Sequence, residues 1–172
     1  MSEFLKLAKE RWSVRSFAPT PVEGEKVEAI LEAASVAPTA CNNQPQKIYV
    51  VRSQTALDKL RSVCSCTFGA RLVFVIGYDP TRSAKGRVRP GHDFGDTDAA
   101  IVCTHMMLAA QSLGLGSCWV GRFVEQEVRE ALGIPEEIRI CDLLPVGYPA
   151  PDAKPASLHS TFRPREETVE ER

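Results

Sequence analysis

Three short runs of this chain contain residue types that could bind a charged, planar ligand. The first is Arg11-Trp12-Ser13-Val14-Arg15-Ser16-Phe17. Forked guanidinium groups hold phosphate oxygens in pairs, and serine hydroxyls add neutral donors, so this run suits a phosphate group. On its own it also describes a solvated basic turn. The second is Pro38-Thr39-Ala40-Cys41-Asn42-Asn43-Gln44-Pro45. Its amide side chains offer donors and acceptors together, which suits a heterocycle with alternating C=O and N–H groups. It equally reads as a plain turn, because Asn and Pro favour turns. The third is Gly114-Leu115-Gly116-Ser117-Cys118-Trp119-Val120-Gly121. Its glycines let backbone approach a flat ligand closely. It is neither a Walker loop, since no Gly-Lys-Ser/Thr follows, nor a dinucleotide fingerprint, since its first glycines follow a helix rather than a strand.

The cysteines and histidines add no separate chemistry. Cys64-Ser65-Cys66 is too tightly spaced for a zinc half-site, and His92, His105 and His159 lie far apart, so no metal is expected. Cys118 has no histidine close in sequence and reads as a buried, inert thiol. His105 lies within an apolar helical run and is expected to bond to a backbone or carboxylate partner rather than act as a catalytic base. The six cysteines are expected to be free thiols.

The elements that must position these runs alternate between helix and strand along residues 1–150, with no linker or repeat, the pattern of a layered domain of α and β elements. A short amphipathic helix ends near Arg11. Thr20-Pro21-Val22-Glu23 reads as a capping box opening a second helix, with Val27, Ile30, Leu31 and Ala34 on one face, that stops before Pro38. Ile48–Val51 is a strand, Ala56, Leu57, Leu60 and Val63 mark a helix, and Leu72–Tyr78 is a buried strand. Residues 79–95 read as loop. Asp98 is expected to cap a long helix, apolar all round and therefore central, that runs to Leu113. Ser117–Val120 is expected as a short strand, Val124–Leu132 as a helix closed by Gly133, and Ile138–Tyr148 as the last strand. After Pro149 prolines and charges dominate, and such a tail cannot build its own core.

Composition narrows the function further. At 172 residues, 44% hydrophobic and 25% charged, the chain suits one ordinary globular domain. Lys plus Arg (21) nearly equals Asp plus Glu (22), so no basic surplus points to nucleic acid. The opening MSEFLKLAKERW has no secretion-type apolar core, and Ala99–Val120 is too interrupted to span a membrane. A cytoplasmic protein is expected.

Together the runs form an ordered set. Arg11-x-Ser13-Val14-Arg15-Ser16-Phe17 is followed by Ala37–Pro45, then by Asp98-Ala99-Ala100-Ile101 through His105–Ala110, Leu113–Gly121, and Leu144-Pro145-Val146-Gly147-Tyr148-Pro149. In this order they resemble the flavin-dependent nitroreductase family over about residues 9–169. The resemblance implies an α+β fold with a central, mostly antiparallel sheet flanked by helices, built as an intertwined homodimer with FMN held at the interface. Residues 1–150 would form the FMN-binding domain and residues 151–172 an arm wrapping the partner subunit. Arg11 and Ser13 would bind the FMN phosphate, with Trp12 beside them, and Arg15 would lie near the pyrimidine edge of the ring. Pro38, Thr39, Ala40, Asn42 and Gln44 would cover the ring from the other subunit, and the backbone of Trp119, Val120 and Gly121 would face it from the home subunit. In the tail the phosphate role falls first to Arg163, with Arg165 as a candidate. The chain departs from its relatives there, having Phe162 where many carry Arg and Arg165 where many carry Leu.

The implied activity is an FMN-dependent NAD(P)H oxidoreductase. NADH or NADPH would deliver hydride to the flavin, and an electron-poor small molecule (a nitroaromatic, quinone or enone) would take the electrons in a ping-pong cycle. The cofactor carries that chemistry, so no catalytic side chain is required. A guanidinium near the N1/O2 edge would stabilise the negative charge of the reduced ring. The alternative is a flavin-binding sensor or carrier without turnover. Only residues 79–97 lie where many relatives insert a longer lid, leaving the flavin either open or capped by the loop bearing His92, Asp93 and Phe94.

Overall fold

The apolar strand expected at Leu72–Tyr78 forms over those residues, and every one of them is buried. In the computed structural model, which describes residues 2–86 and 91–172, this strand (β2) lies inside a four-stranded sheet of order β1-β2-β4-β3. Residues 87–90 of the expected 79–95 loop lie outside the described residues. The other strands are β1 (Gln46–Val51), β3 (Gly116–Ser117) and β4 (Arg139–Gly147), and all strand pairs are antiparallel.

The lack of alternation in β2 follows from burial of both its faces. Val73 and Val75 point into one core, with Leu57 and Leu60 of α3 (Gln54–Val63) and Val128 of α5 (Glu125–Leu132). Leu72, Phe74 and Ile76 point into the other, with Val27, Ile30 and Ala34 of α2 (Gly24–Ser35) and Ala99, Val102, Cys103, Met106 and Ala110 of α4 (Gly95–Ser112). Each buried Leu, Ile or Val contributes roughly 1.5–3 kcal/mol of transfer free energy. Between Ile76 and Gly77 the pairing with β4 shifts register, so Cys141 bulges out. Gly77 is required there, since a Cβ would stand 2.1 Å from the Arg139 carbonyl oxygen.

Several boundaries differ from expectation, each through a long-range contact. The capping box does not form. Residue 23 is the N-cap of α2 and its side chain makes no cap bond. The Glu23 carboxylate instead accepts the Tyr148 hydroxyl at 2.8 Å, while Lys26 donates to that hydroxyl at 2.6 Å. Helix α4 opens at Gly95 rather than after Asp98. The Gly95 N–H donates to Asp93 Oδ1 at 2.9 Å, so Asp93 satisfies the first turn. Helix α4 is not buried all round: one face packs into the core, and Ile101, His105, Met107 and Leu108 remain half-exposed.

The strand expected at Ser117–Val120 is shortened by a proline in its partner. Cys118 donates to the Pro145 carbonyl at 3.2 Å, and Pro145 has no N–H to return. Pairing resumes at Val120, which exchanges backbone bonds of 2.9 and 3.0 Å with Leu143. No helix among the described residues is long and apolar enough to cross a membrane.

Candidate functional site

The first motif lies along the free edge of β3. Helix α1 (Glu3–Glu10) ends at Arg11, whose extended backbone turns the chain out of the helix. Ser13 forms a parallel bridge with Ser117, and the Val14 N–H donates to the Ser117 carbonyl at 2.9 Å. The Val14 side chain covers Gly116, where a Cβ would stand 2.4 Å from it. Phe17 bridges Pro149 and is buried. Burial of Val14 and Phe17 locks the segment and leaves Arg11, Ser13 and Arg15 to line a cleft of about 280 Å³ with Ala156, Leu158 and His159. That lining holds two guanidiniums, an imidazole and a hydroxyl, and no carboxylate. Such a lining suits an anion with several oxygens.

Cys118 lies beneath this cleft. Burial pushes its thiol up, outweighing the opposing influence of Arg15, the Ser13 hydroxyl and Arg11. The thiol is therefore neutral near pH 7 and no nucleophile, as its sequence context implies.

From Ser117 the chain runs on to the glycine-flanked motif. Trp119 is held by its indole N–H, which donates to Asp142 Oδ1. Burial raises the Asp142 carboxyl; the Trp119 bond pulls it back down and nearby Asp96 raises it further. Val120 is fixed by Leu143, and Gly121 is exposed with nothing within 4 Å of where a Cβ would point. The chain beyond Ser117, the residue that bridges Ser13, therefore presents open backbone at Gly121.

The Pro38–Pro45 loop is anchored elsewhere, on α4. It contains a 3-10 turn at Ala40–Asn42 and three residues with positive φ: Cys41 (56°), Asn42 (53°) and Gln44 (49°). Outside glycine that region costs roughly 1–2 kcal/mol per residue, so other bonds must hold it. Asp98, 1% exposed, accepts the Ala40 N–H at 2.8 Å, and Thr39 Oγ1 accepts the Gln44 N–H at 3.0 Å. Gln44 also donates to Asn42 Oδ1 at 3.2 Å. The second Asp98 oxygen has no hydrogen-bond partner among the described residues.

The chain is similar to known proteins over most of its length. The family profile described as the nitroreductase family covers residues 8–68 and 62–148. A protein of Archaeoglobus fulgidus, described provisionally as an NADH dehydrogenase/NAD(P)H nitroreductase, is 35% identical over 87% of each chain. A crystal structure of a nitroreductase family protein from Clostridium difficile superposes with a TM-score of 0.90 at 32% identity, over 99% of this chain and 98% of that one. An FMN-dependent nitroreductase from another strain of that species superposes at 0.73 with 26% identity, over 92% and 98%.

The chain belongs to the nitroreductase family.

Membership gives the anion cleft a natural occupant class, because the family is FMN-dependent. The residues present fit that group. Arg11, Ser13, Arg15 and His159 carry groups able to donate to a phosphate, and the exposed backbone at Gly121 leaves room for a planar ring. One chain brings Arg11, Ser13 and Arg15 into one cleft, packs Trp12 against the core, and carries Trp119, Val120 and Gly121 on the segment that follows Ser117, the partner of Ser13. Pro38, Thr39, Ala40, Asn42 and Gln44 sit on the loop tied to α4.

In this nitroreductase-family chain the tail arginines face their own glutamates. Arg163 Nε donates to Glu167 at 3.0 Å, and Arg165 lies 4.0 Å from Glu171. Ala156, Leu158 and His159 are the tail residues that line the cleft; His159 is the titratable one among them, and nothing in its local sequence marks it. Asp98 and Asp142 were equally hidden as supports, since each bonds to a motif remote in sequence. His105 Nδ1 lies 2.9 Å from the Ile101 carbonyl, the backbone partner expected of it. All six cysteines are free, and no cluster suited to a metal occurs among the described residues.

Proposed function

We propose that this protein is an FMN-dependent NAD(P)H oxidoreductase that acts as a homodimer on a small, electron-poor acceptor such as a nitroaromatic, quinone or enone. The observation that carries the reading is the meeting of Arg11, Ser13 and Arg15 in one carboxylate-free cleft, in a chain of this family. The names borne by its relatives, NAD(P)H nitroreductase and FMN-dependent nitroreductase, support the same donor and cofactor.

FMN, when bound, supplies the centre that accepts and passes on hydride. The chain supplies position and charge. Arg11 and Ser13 hold the phosphate. Arg15 sets a fixed positive charge toward the ring, favouring negative charge on its pyrimidine edge. The Trp119–Gly121 backbone, kept in register by Leu143 and by the Asp142 bond to Trp119, would face the ring. Pro38, Thr39, Ala40, Asn42 and Gln44 cover the ring of the partner's site. Arg163 and Arg165 remain phosphate candidates if the arm re-seats in the dimer.

Uncovered apolar surface supports the homodimer. Helix α1 buries none of its residues within the chain, leaving Phe4 61% exposed. The tail exposes Leu158, Phe162 (81%) and Val169, and α4 keeps Ile101, Met107 and Leu108 half-exposed. Surface of this kind calls for a partner. In this reading residues 151–172 form an arm on the second copy, part of the same domain as residues 1–150.

An anaerobic spectral titration of the purified protein tests the function. Loss of the oxidised flavin band on adding NADH or NADPH, and its return on adding a quinone, supports turnover. A bound flavin untouched by either nucleotide leaves a carrier or sensor, and a protein that binds no FMN overturns the reading.

A further inference from the structure

From residue 154 to residue 172 every side chain is exposed except that of His159. The 3-10 turn Ser157–Ser160 sets it in place: the His159 N–H donates to the Ala156 carbonyl at 2.9 Å and the Thr161 N–H to the Leu158 carbonyl at 3.1 Å. The turn carries the imidazole into the cleft with Arg11, Ser13 and Arg15. The charged and titratable groups around it are Arg11 and Arg15 from the end of α1 and, below Ser13, the neutral Cys118 thiol. Neither arginine has a carboxylate partner among the described residues, so the cleft gathers positive charge that only an incoming anion balances.

We propose that His159 is a phosphate-binding residue of this chain, and that it makes the hold on a phosphate monoester pH-dependent. This rests on the FMN reading above and adds a residue and a regulatory consequence. Histidine is the side chain whose charge ordinarily changes between about pH 5 and 8. An imidazolium donates to a phosphate oxygen as a charged partner, whereas a neutral imidazole offers one neutral N–H. An anion seated between Arg11 and Arg15 favours the imidazolium by direct attraction, so binding takes up a proton in that range. His159 therefore adds most to the hold on the phosphate under mildly acidic conditions and less as the imidazole loses its proton.

The test is FMN affinity, measured by quenching of flavin fluorescence on the full-length chain stripped of cofactor, for wild type, His159→Gln and His159→Lys at pH 6 and pH 8.5. Riboflavin, which lacks the phosphate, is the control ligand. The expected result is that His159→Gln binds FMN about tenfold more weakly than wild type at pH 6 and within about twofold of it at pH 8.5. His159→Lys should bind tightly at both pH values, and no substitution should alter riboflavin binding. The ionisation of the phosphate itself near pH 6 acts equally on all three proteins and cancels in the ratio. A His159→Gln defect equal at both pH values, or shared by riboflavin, overturns the proposal and leaves the FMN reading standing. A wild type that binds neither ligand overturns both.

Discussion

The Asp98 carboxylate accepts the Ala40 backbone N–H at 2.8 Å, joining the buried first turns of α4 to a loop that carries three left-handed residues. The carboxylate is thus a brace between remote segments rather than the cap of its own helix. Asp98→Ala should strand the Ala40 N–H and lower stability by about 1–3 kcal/mol. Asp98→Asn keeps an oxygen acceptor and should cost less than half as much. Urea unfolding of both variants checks this, and an alanine variant with an unchanged midpoint refutes the brace.

Arg11 is the first cation of the cleft. Its replacement by alanine should weaken FMN binding by on the order of 1.5–3 kcal/mol, the worth of a charge-assisted bond. Riboflavin affinity should hardly change, since the interaction is with the phosphate. Titration calorimetry with both ligands decides the matter, and an unaltered FMN dissociation constant counts against the phosphate role.

The tail from 155 to 172 has no core of its own and exposes Leu158, Phe162 and Val169. Deleting it should weaken self-association and lower the thermal midpoint. Sedimentation equilibrium of the full and truncated chains gives the answer; a truncated protein that remains as dimeric and as heat-stable would exclude the arm.

Asp93 ties the loop before α4 to the helix. Burial opposes its ionisation, but bonds from Lys85, Ser83 and the Gly95 N–H outweigh that and hold its carboxyl at about 2. A carboxyl lowered on folding stabilises the native state above its unfolded value, near pH 4, and loses that contribution as pH falls toward 2. Asp93→Asn should therefore be less stable than wild type by about 1 kcal/mol at pH 7, with the gap closing between about pH 4 and 2. Thermal midpoints across that range measure it, and a gap that persists at the acid end contradicts the assignment.

Much of this architecture was legible because it is written at short range. The uninterrupted apolar run Leu72–Tyr78 demanded a strand covered on both faces, and the α/β alternation demanded a layered domain. Arg11, Ser13 and Arg15 lie within five residues, so their shared chemistry was visible before any fold was known. What resisted reading was each polar group whose partner arrives from afar. Thr20–Glu23 has the text of a capping box, yet Glu23 bonds to Tyr148, and Asp98 has the look of a cap yet holds Ala40. Pro145 trimmed β3 because it withholds an N–H from a neighbour that no local pattern names.

By itself, then, the sequence determined which strands and helices form, though not all their ends, and the clustering of Arg11, Ser13 and Arg15, since periodicity and local spacing set which surfaces must be buried. Only the tertiary structure decided which polar atoms meet. A hydroxyl, carboxylate or imidazole bonds to whatever donor or acceptor packing brings within about 3 Å. That is how His159, in an otherwise exposed tail, comes to face Arg11 and Arg15 across the cleft.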